Sequence, residues 1–335
     1  MKDILEKLYS GRSLDKPEAR GLLGSMLDPA ANHFQIAAVL SAFRMRCLNI
    51  EELEGFREEA LEKAKRLDLS DFSPIDVCGT GGDGKNTFNI STLSAFVIAA
   101  CGIKVAKHGG GAVSSKFGSS NILEALGYKF SDDENYLKRQ LEEAGICFLH
   151  APLFHPSFKH VAPVRKDMGV KTFFNILGPV CNPSDPSFQI IGVYSAELME
   201  LYKLLAQRLN KDIVTVHSMD GCDEISLTSD VKVSDKFEDK IYSPSNFNFP
   251  LISYEDIQET ERIEDAVSSF ISVLEKGSNT AHTRVVAANA ALCLHRYYNC
   301  ANKNVSLVDC SAEALEVIKS GKAFNVFRKL MHISS

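Results

Sequence analysis

Apolar and polar positions along the first 66 residues repeat at helical spacing. Ile4, Leu5 and Leu8 form one short stripe that ends near Gly11. Asp15 stands where a helix cap belongs, with Pro17 early in the next turn and Glu18 placed to complete a capping box. Ala19, Leu22, Leu23 and Met26 follow on one face. Residues 34–46 form a third helix, apolar over most of its surface and therefore expected to be buried, either within its own lobe or in a subunit contact. Asn49 and Glu52 repeat the capping-box spacing ahead of Leu53, Phe56, Ala60, Leu61 and Ala64. Four short helices predict a small helical lobe.

After Leu67 the pattern changes. Ile75–Cys78, Ile103–Ala106, Ile146–Leu149, Phe188–Tyr194 and Ile213–His217 read as strands. Asn89–Cys101, Ser119–Leu126, Glu134–Ala144 and Glu197–Leu209 read as the helices between them. Such alternation predicts an α/β domain around a mostly parallel sheet. The alternation breaks between Ala151 and Pro186, where six prolines surround a helical stretch at 158–167. This segment is expected to return to the helical lobe. The predicted organisation is a discontinuous helical lobe (1–66, with a returning segment at about 152–186) and an α/β lobe (67–151 and 187–335). Residues 230–256 read as a polar edge. Helices are expected at 264–275, 281–297 and 311–331.

Two glycine-rich turns follow strands in this pattern: Gly79-Thr80-Gly81-Gly82-Asp83-Gly84, and Lys107-His108-Gly109-Gly110-Gly111. Glycine tolerates positive φ and lacks Cβ, so such turns let backbone N–H groups close on an anion. Thr87, Asn89, Ser91 and Thr92 follow the first turn, and Ser114, Ser115 and Ser119 the second. Hydroxyls and free N–H groups at a helix start complete an anion site. Two such sites suggest a ligand with more than one phosphate. Gly79–Lys85 has the spacing G-x-x-x-x-G-K, but Asn86 stands where a nucleotide-binding P-loop needs Ser or Thr, and Asp83 lies within the turn. Asp223 and Glu224 are adjacent acids after a strand, at the edge where α/β sheets bind ligands. Carboxylates together with substrate phosphates are a common way to hold Mg²⁺. Arg165, in His155–Arg165, can make a bidentate pair with a carboxylate. No set of nucleophile, base and orienter stands out, which fits a reaction run by positioning and charge rather than side-chain acid–base catalysis.

Composition narrows the field. The net charge of −6 argues against a nucleic-acid-coating surface. The nine cysteines include no Cys-x-x-Cys pair, so no zinc or redox motif is suggested and a reducing cytoplasm is expected. No apolar run reaches membrane-spanning length.

At these residues the chain resembles the anthranilate phosphoribosyltransferase family. GTGGDG with TFNIST, KHG with SS, HPSFKHVAPVR, FNILGPVCNP, GVYS and DGCDEIS stand in family order over nearly the whole chain. The resemblance implies a nucleoside phosphorylase-like fold, a homodimer through the helical lobe, and two Mg²⁺ ions. It implies that Gly79, Gly82, Asp83, Thr87, Asn89, Ile90, Ser91 and Thr92 hold phosphoribosyl pyrophosphate. Lys107, His108, Gly109, Gly110, Gly111, Ala112, Val113, Ser114, Ser115 and Ser119 would do so too. Ser91 would bind one Mg²⁺ with the pyrophosphate, Asp223 and Glu224 the second, and Arg165 the anthranilate carboxylate. The chain departs from the family at Gly110 and Gly111, where Asn and Arg are usual, and at Asn121, where Asp is common. The family's Asn contact to anthranilate is therefore missing. Two other readings stay open: a nucleoside phosphorylase relative, and a phosphoribosyltransferase-like binding protein with a different or lost acceptor.

Overall fold

The computed structural model describes residues 1–111, 117–277 and 280–334. It begins with four helices, α1 (Lys2–Tyr9), α2 (Lys16–Met26), α3 (His33–Arg44) and α4 (Ile50–Glu62). Both capping boxes form. The Asp15 carboxylate accepts from the Glu18 N–H at 2.9 Å, and Glu18 accepts from the Asp15 N–H at 2.9 Å. Asn49 and Glu52 do the same at the start of α4. Each box satisfies donors that a helix start would otherwise leave unpaired.

The chain continues through β1 (Asp76–Gly79), α5 (Ile90–Ala100), β2 (Val105–Gly109), α6 (Ser119–Ala125), α7 (Glu134–Glu143) and β3 (Ile146–His150). Three short helices follow: α8 (Ala151–Phe154), α9 (Ala162–Met168) and α10 (Phe173–Leu177). Then come β4 (Phe188–Gly192), α11 (Ala196–Leu209), β5 (Asp212–Ser218), β6 (Val231–Ser234) and β7 (Asp239–Tyr242). The last four helices are α12 (Ile263–Lys276), α13 (Ala281–Cys300), α14 (Leu307–Lys319) and α15 (Lys322–Ser334).

Contacts divide these elements into two units, Met1–Leu67 with Ala151–Asp185, and Asp68–His150 with Pro186–Ser335. The first is all-helical. Phe56 of α4 stacks on Phe173 of α10 at 4.4 Å, and Phe43 of α3 meets both rings edge-on at 5.5 and 5.3 Å. Phe56 is fully buried; truncating a core phenylalanine costs about 3–5 kcal/mol. Arg57 joins the two stretches by donating to the Val180 carbonyl and pairing with Asp185. The third helix is not buried throughout: Ile36, Val39, Leu40 and Phe43 are, but Phe34 is 87% exposed.

The second unit is built on a five-stranded sheet in the order β1-β4-β5-β6-β7. β1, β4 and β5 run parallel, and β6 and β7 add antiparallel at one edge. β2 and β3 form a separate parallel pair, joined to the start of β1 by a bridge between Val105 and Ile75. Helix α5 is buried from Leu93 to Ala99 and packs against α13, which explains its unbroken apolar run. The polar stretch at 230–256 thus contains a β-hairpin. The single helix expected at 311–331 is two helices, because Gly321 adopts φ +75° and ends the first. At 158–167 a 3₁₀ turn (Pro156–His160) precedes α9. No described helix is long and apolar enough to cross a membrane.

Candidate active site

The first glycine turn leaves the C-terminal end of β1. Gly81, Gly82 and Gly84 take φ of +56°, +81° and +75°, a conformation that L side chains resist. The turn is tied on several sides. The Thr80 N–H donates to the Gly192 carbonyl at 2.9 Å, and the Gly81 N–H to Asp223 Oδ2 at 2.9 Å. Asp83 Oδ1 accepts from the Lys85 N–H at 3.0 Å. Beyond the turn, residues 86–88 run against 257–259: Phe88 N–H to Ile257 O at 3.3 Å, and Glu259 N–H to Asn86 O at 2.7 Å. Tyr254 adds its hydroxyl, accepting from the Asn86 N–H at 3.2 Å, and its ring lies under Lys85 Nζ at 5.0 Å. His282 stacks on Phe88 at 4.0 Å.

Asp223 and Glu224 sit between this turn and the start of α5. Asp223 is buried and its Oδ2 accepts from Gly81. Glu224 Oε1 accepts from the Ser91 N–H at 2.9 Å. The acid turn is itself clamped: Asn289 of α13 donates to Ile225 O at 2.8 Å and accepts from Ile225 N–H at 3.0 Å, while Ser218 Oγ donates to Glu224 O at 2.6 Å. Gly192 explains how the turn comes so close, because a Cβ there would overlap the Asp223 carbonyl. Burial, then the charge of Asp83, pushes the Asp223 carboxyl up from its usual range. Burial, then the charges of Asp223 and Asp83, does the same to Glu224, with Lys107 opposing. This corner of the site is short of positive charge.

Lys107, on β2, is buried and donates to Val77 O and, at 3.3 Å, to Ser91 Oγ. Asp76 holds the same strand through the His108 N–H at 3.1 Å. The Thr92 hydroxyl donates to Ser119 Oγ at 2.8 Å, linking α5 to α6.

These groups surround one open recess. It brings together Gly79, Asp83, Thr87, Asn89, Ile90 and Ser91 from the first turn and its arm. Lys107 to Gly111, Ser119, Asp223 and Glu224 line it as well. Gly82 and Thr92 do not line the recess; Thr92 spends its hydroxyl on Ser119. Ala112, Val113, Ser114 and Ser115 lie outside the described residues. Arg165 belongs to the helical unit, where it lies over the Phe174 ring at 4.9 Å and has no carboxylate partner among the described residues. Burial lowers its pKa.

Thr80, Lys85, Phe88 and Phe117 also line the recess and were not singled out in the sequence. Nor were Gly192, Glu259 and Asn289. A glycine closing a strand was the available signal for Gly192, since it marks a close approach of backbone. Nothing in the sequence pattern points to the other two.

A family profile described as "Glycosyl transferase family, a/b domain" matches residues 72–324, and one described as "Glycosyl transferase family, helical bundle domain" matches residues 2–64. Anthranilate phosphoribosyltransferase of Cytophaga hutchinsonii is 46% identical over 98% of this chain and 99% of its own length. That of Flavobacterium johnsoniae is 45% identical over the full length of both. The chain belongs to the anthranilate phosphoribosyltransferase family. The crystal structure of the family member from Thermus thermophilus superposes with a TM-score of 0.89 at 31% identity, covering 99% of each chain. The Saccharomyces cerevisiae family member in complex with PRPP and Mg gives 0.89 at 25% identity, covering 98% of this chain and 96% of that one.

The donor set suits the metal that this family suggests. One oxygen of Asp223 and one of Glu224 accept from backbone N–H groups. No group of three or more His, Cys, Asp or Glu is arranged to hold a metal among the described residues. A cation here would take at most two carboxylates from the protein and the rest from phosphate and water, the habit of Mg²⁺ rather than of Ca²⁺ or Zn²⁺.

Proposed function

We infer that this chain is a Mg²⁺-dependent transferase. It moves the phosphoribosyl group of 5-phosphoribosyl 1-pyrophosphate to the amine of anthranilate, giving N-(5-phosphoribosyl)anthranilate and pyrophosphate, a reaction of tryptophan biosynthesis. The observation that carries this reading is the convergence of a glycine turn, a helix start, a buried lysine and a desolvated carboxylate pair in one recess of a chain 46% identical to a named family member.

The amine lone pair forms the bond to ribose C1, the C1–O bond to pyrophosphate breaks with its electron pair staying on the pyrophosphate, and the amine gives up one proton to solvent water or the departing pyrophosphate. No side chain is assigned as acid or base; positioning and charge do the work. Bound Mg²⁺ neutralises charge on the pyrophosphate. The Gly79–Gly84 turn and the start of α5, with Gly79, Asp83, Thr87 and Asn89 to Ser91 lining the recess, hold the donor substrate. Residues Lys107 to Ser115 and Ser119 hold it from the other side. Two ions are expected, one at Ser91 and one at Asp223 with Glu224. Arg165, a half-buried guanidinium without a carboxylate partner among the described residues, takes the anthranilate carboxylate. The enzyme works in the cytoplasm as a homodimer through its helical unit. Phe34 and Met45 support that interface, being 87% and 89% exposed on this unit. The nine free cysteines agree with the location.

Anthranilate is fluorescent, and its signal should fall when phosphoribosyl pyrophosphate is added, only with Mg²⁺ present. No fall at millimolar acceptor, with the diphosphate still bound, would replace this reading with that of a binding protein or a transferase for another acceptor.

A further inference from the structure

Lys85 ends the G-x-x-x-x-G-K spacing of the first turn and lines the recess. Among the described residues one other lysine does so, Lys107. The two are held differently. Lys107 is buried, and its amine donates to Val77 O and Ser91 Oγ. Lys85 is half-buried, and its amine rests over the Tyr254 ring at 5.0 Å. A carboxylate partner would cancel the charge of such an amine. An aromatic face attracts an ammonium and leaves its charge intact.

Three contacts set this placement. The Lys85 N–H donates to Asp83 Oδ1 at 3.0 Å, just after Gly84 at φ +75°. The Tyr254 hydroxyl accepts from the Asn86 N–H at 3.2 Å, so the ring is tied to the residue next to the lysine. The lysine stem passes Gly221: a Cβ built there would lie 3.8 Å from Lys85 Cε. Gly221 belongs to the acid turn and stands two residues before Asp223, so Lys85 reaches the carboxylate side of the recess. Asp83, Asp223 and Glu224 all line that recess, and a pyrophosphate would bring further negative charge to it. A cation resting on a ring rather than on a carboxylate is suited to meet that charge.

We propose that Lys85, held on the face of Tyr254, binds the pyrophosphate end of the donor substrate and offsets its charge as that group leaves. The inference rests on the reading of the ligand given above. Lysine acts on phosphate as a point charge on a flexible stem, so no fixed fork geometry is required of it. A long side chain loses rotamer freedom when a ligand fixes it, and one already resting on a ring loses less. Tyr254 therefore serves as the platform, and Lys85 supplies the charge.

Calorimetric binding of phosphoribosyl pyrophosphate, inorganic pyrophosphate and ribose 5-phosphate, at fixed Mg²⁺, tests it. Lys85→Met should weaken binding of the first two about ten-fold, the worth of a hydrogen bond to a charged group. It should leave ribose 5-phosphate binding unchanged. Lys85→Arg keeps the charge and should recover most of the loss. Raising salt from about 0.05 M to about 0.5 M should weaken pyrophosphate binding less in Lys85→Met than in the wild-type protein, because one screened attraction is gone. Tyr254→Phe keeps the ring and loses only the hydroxyl. Tyr254→Leu should bind pyrophosphate about three-fold more weakly than Tyr254→Phe, a difference that Lys85→Met abolishes. The Lys85 series carries the test alone should Tyr254→Leu fail to fold. Unchanged pyrophosphate binding in Lys85→Met, an equal loss for ribose 5-phosphate, an Arg variant no better than Met, or a Tyr254 difference that persists without Lys85 would each overturn the proposal. A wild-type protein that binds no phosphoribosyl pyrophosphate would overturn the functional reading beneath it as well.

Discussion

The two glycine-rich turns look alike in sequence and differ in structure. The first is held from every side: three glycines at positive φ, Thr80 bonded to Gly192, Gly81 to Asp223, and the arm beyond it paired with residues 257–259. The described part of the second has room beside it. Among the described residues, a Cβ on Gly109 would meet nothing within 4 Å, and one on Gly111 only Asn121 Oδ1 at 3.9 Å. Glycine serves conformation and close approach in the first turn. At Gly109 and Gly111 of the second it leaves space among the described residues. A turn of the first kind should tolerate almost no change, and one of the second kind should accept side chains.

The largest effect expected from this contrast lies on neither turn but on the strand that supports the first. Gly192→Ala places a methyl group against the Asp223 carbonyl and must displace the acid turn. Misplacing a site by about 1 Å can cost on the order of a hundred-fold in rate, and kcat/KM should fall by about that factor. Steady-state kinetics would show it. Activity within about three-fold of wild type would mean that the first turn is not over-determined.

A smaller effect, of opposite sign, is expected in the second turn. Gly110→Asn supplies a polar side chain beside the recess. The KM for anthranilate should fall about three- to ten-fold, the range of one hydrogen bond. An unchanged or raised KM would break this half of the comparison.

What the sequence disclosed follows the same division. The capping boxes at Asp15 and Asn49 were legible because their partners are three residues apart. The helical lobe and the α/β alternation were legible because their periods differ. The split between α14 and α15 was missed, since Ser320-Gly321 interrupts an otherwise continuous apolar stripe for only two residues. The β6–β7 hairpin was missed because its strands are only four residues each and half polar. Around the recess, the glycines, hydroxyls and adjacent acids could be noticed by type. The contacts that set their geometry could not. Gly192 with Asp223, Asn289 with Ile225, and Glu259 with Asn86 are contacts between residues far apart in the chain, and no local pattern records them.

The smallest expected effect is one of pH. His282 stacks on Phe88 behind the first turn, and burial lowers its pKa from the usual value, with Asp256 opposing. The unfolded chain then takes up a proton near pH 6.5 that the folded chain resists. Stability should be full above that pH and decline as pH falls through the depressed value. Thermal melts between pH 8 and pH 5 should show this decline, and His282→Gln should flatten it. An unaltered slope in His282→Gln would remove His282 from the support of the turn.

The central claim is that the first turn holds a carboxylate pair whose buried charge is answered by a cation shared with the substrate's phosphates. The direct measurement is the affinity for phosphoribosyl pyrophosphate as a function of Mg²⁺ concentration, in the wild-type protein and in Asp223→Asn with Glu224→Gln. In the wild-type protein affinity should rise with Mg²⁺, and in the double variant that dependence should weaken at least ten-fold, about 1.4 kcal/mol of lost coupling. The same Mg²⁺ dependence in both proteins would contradict the account.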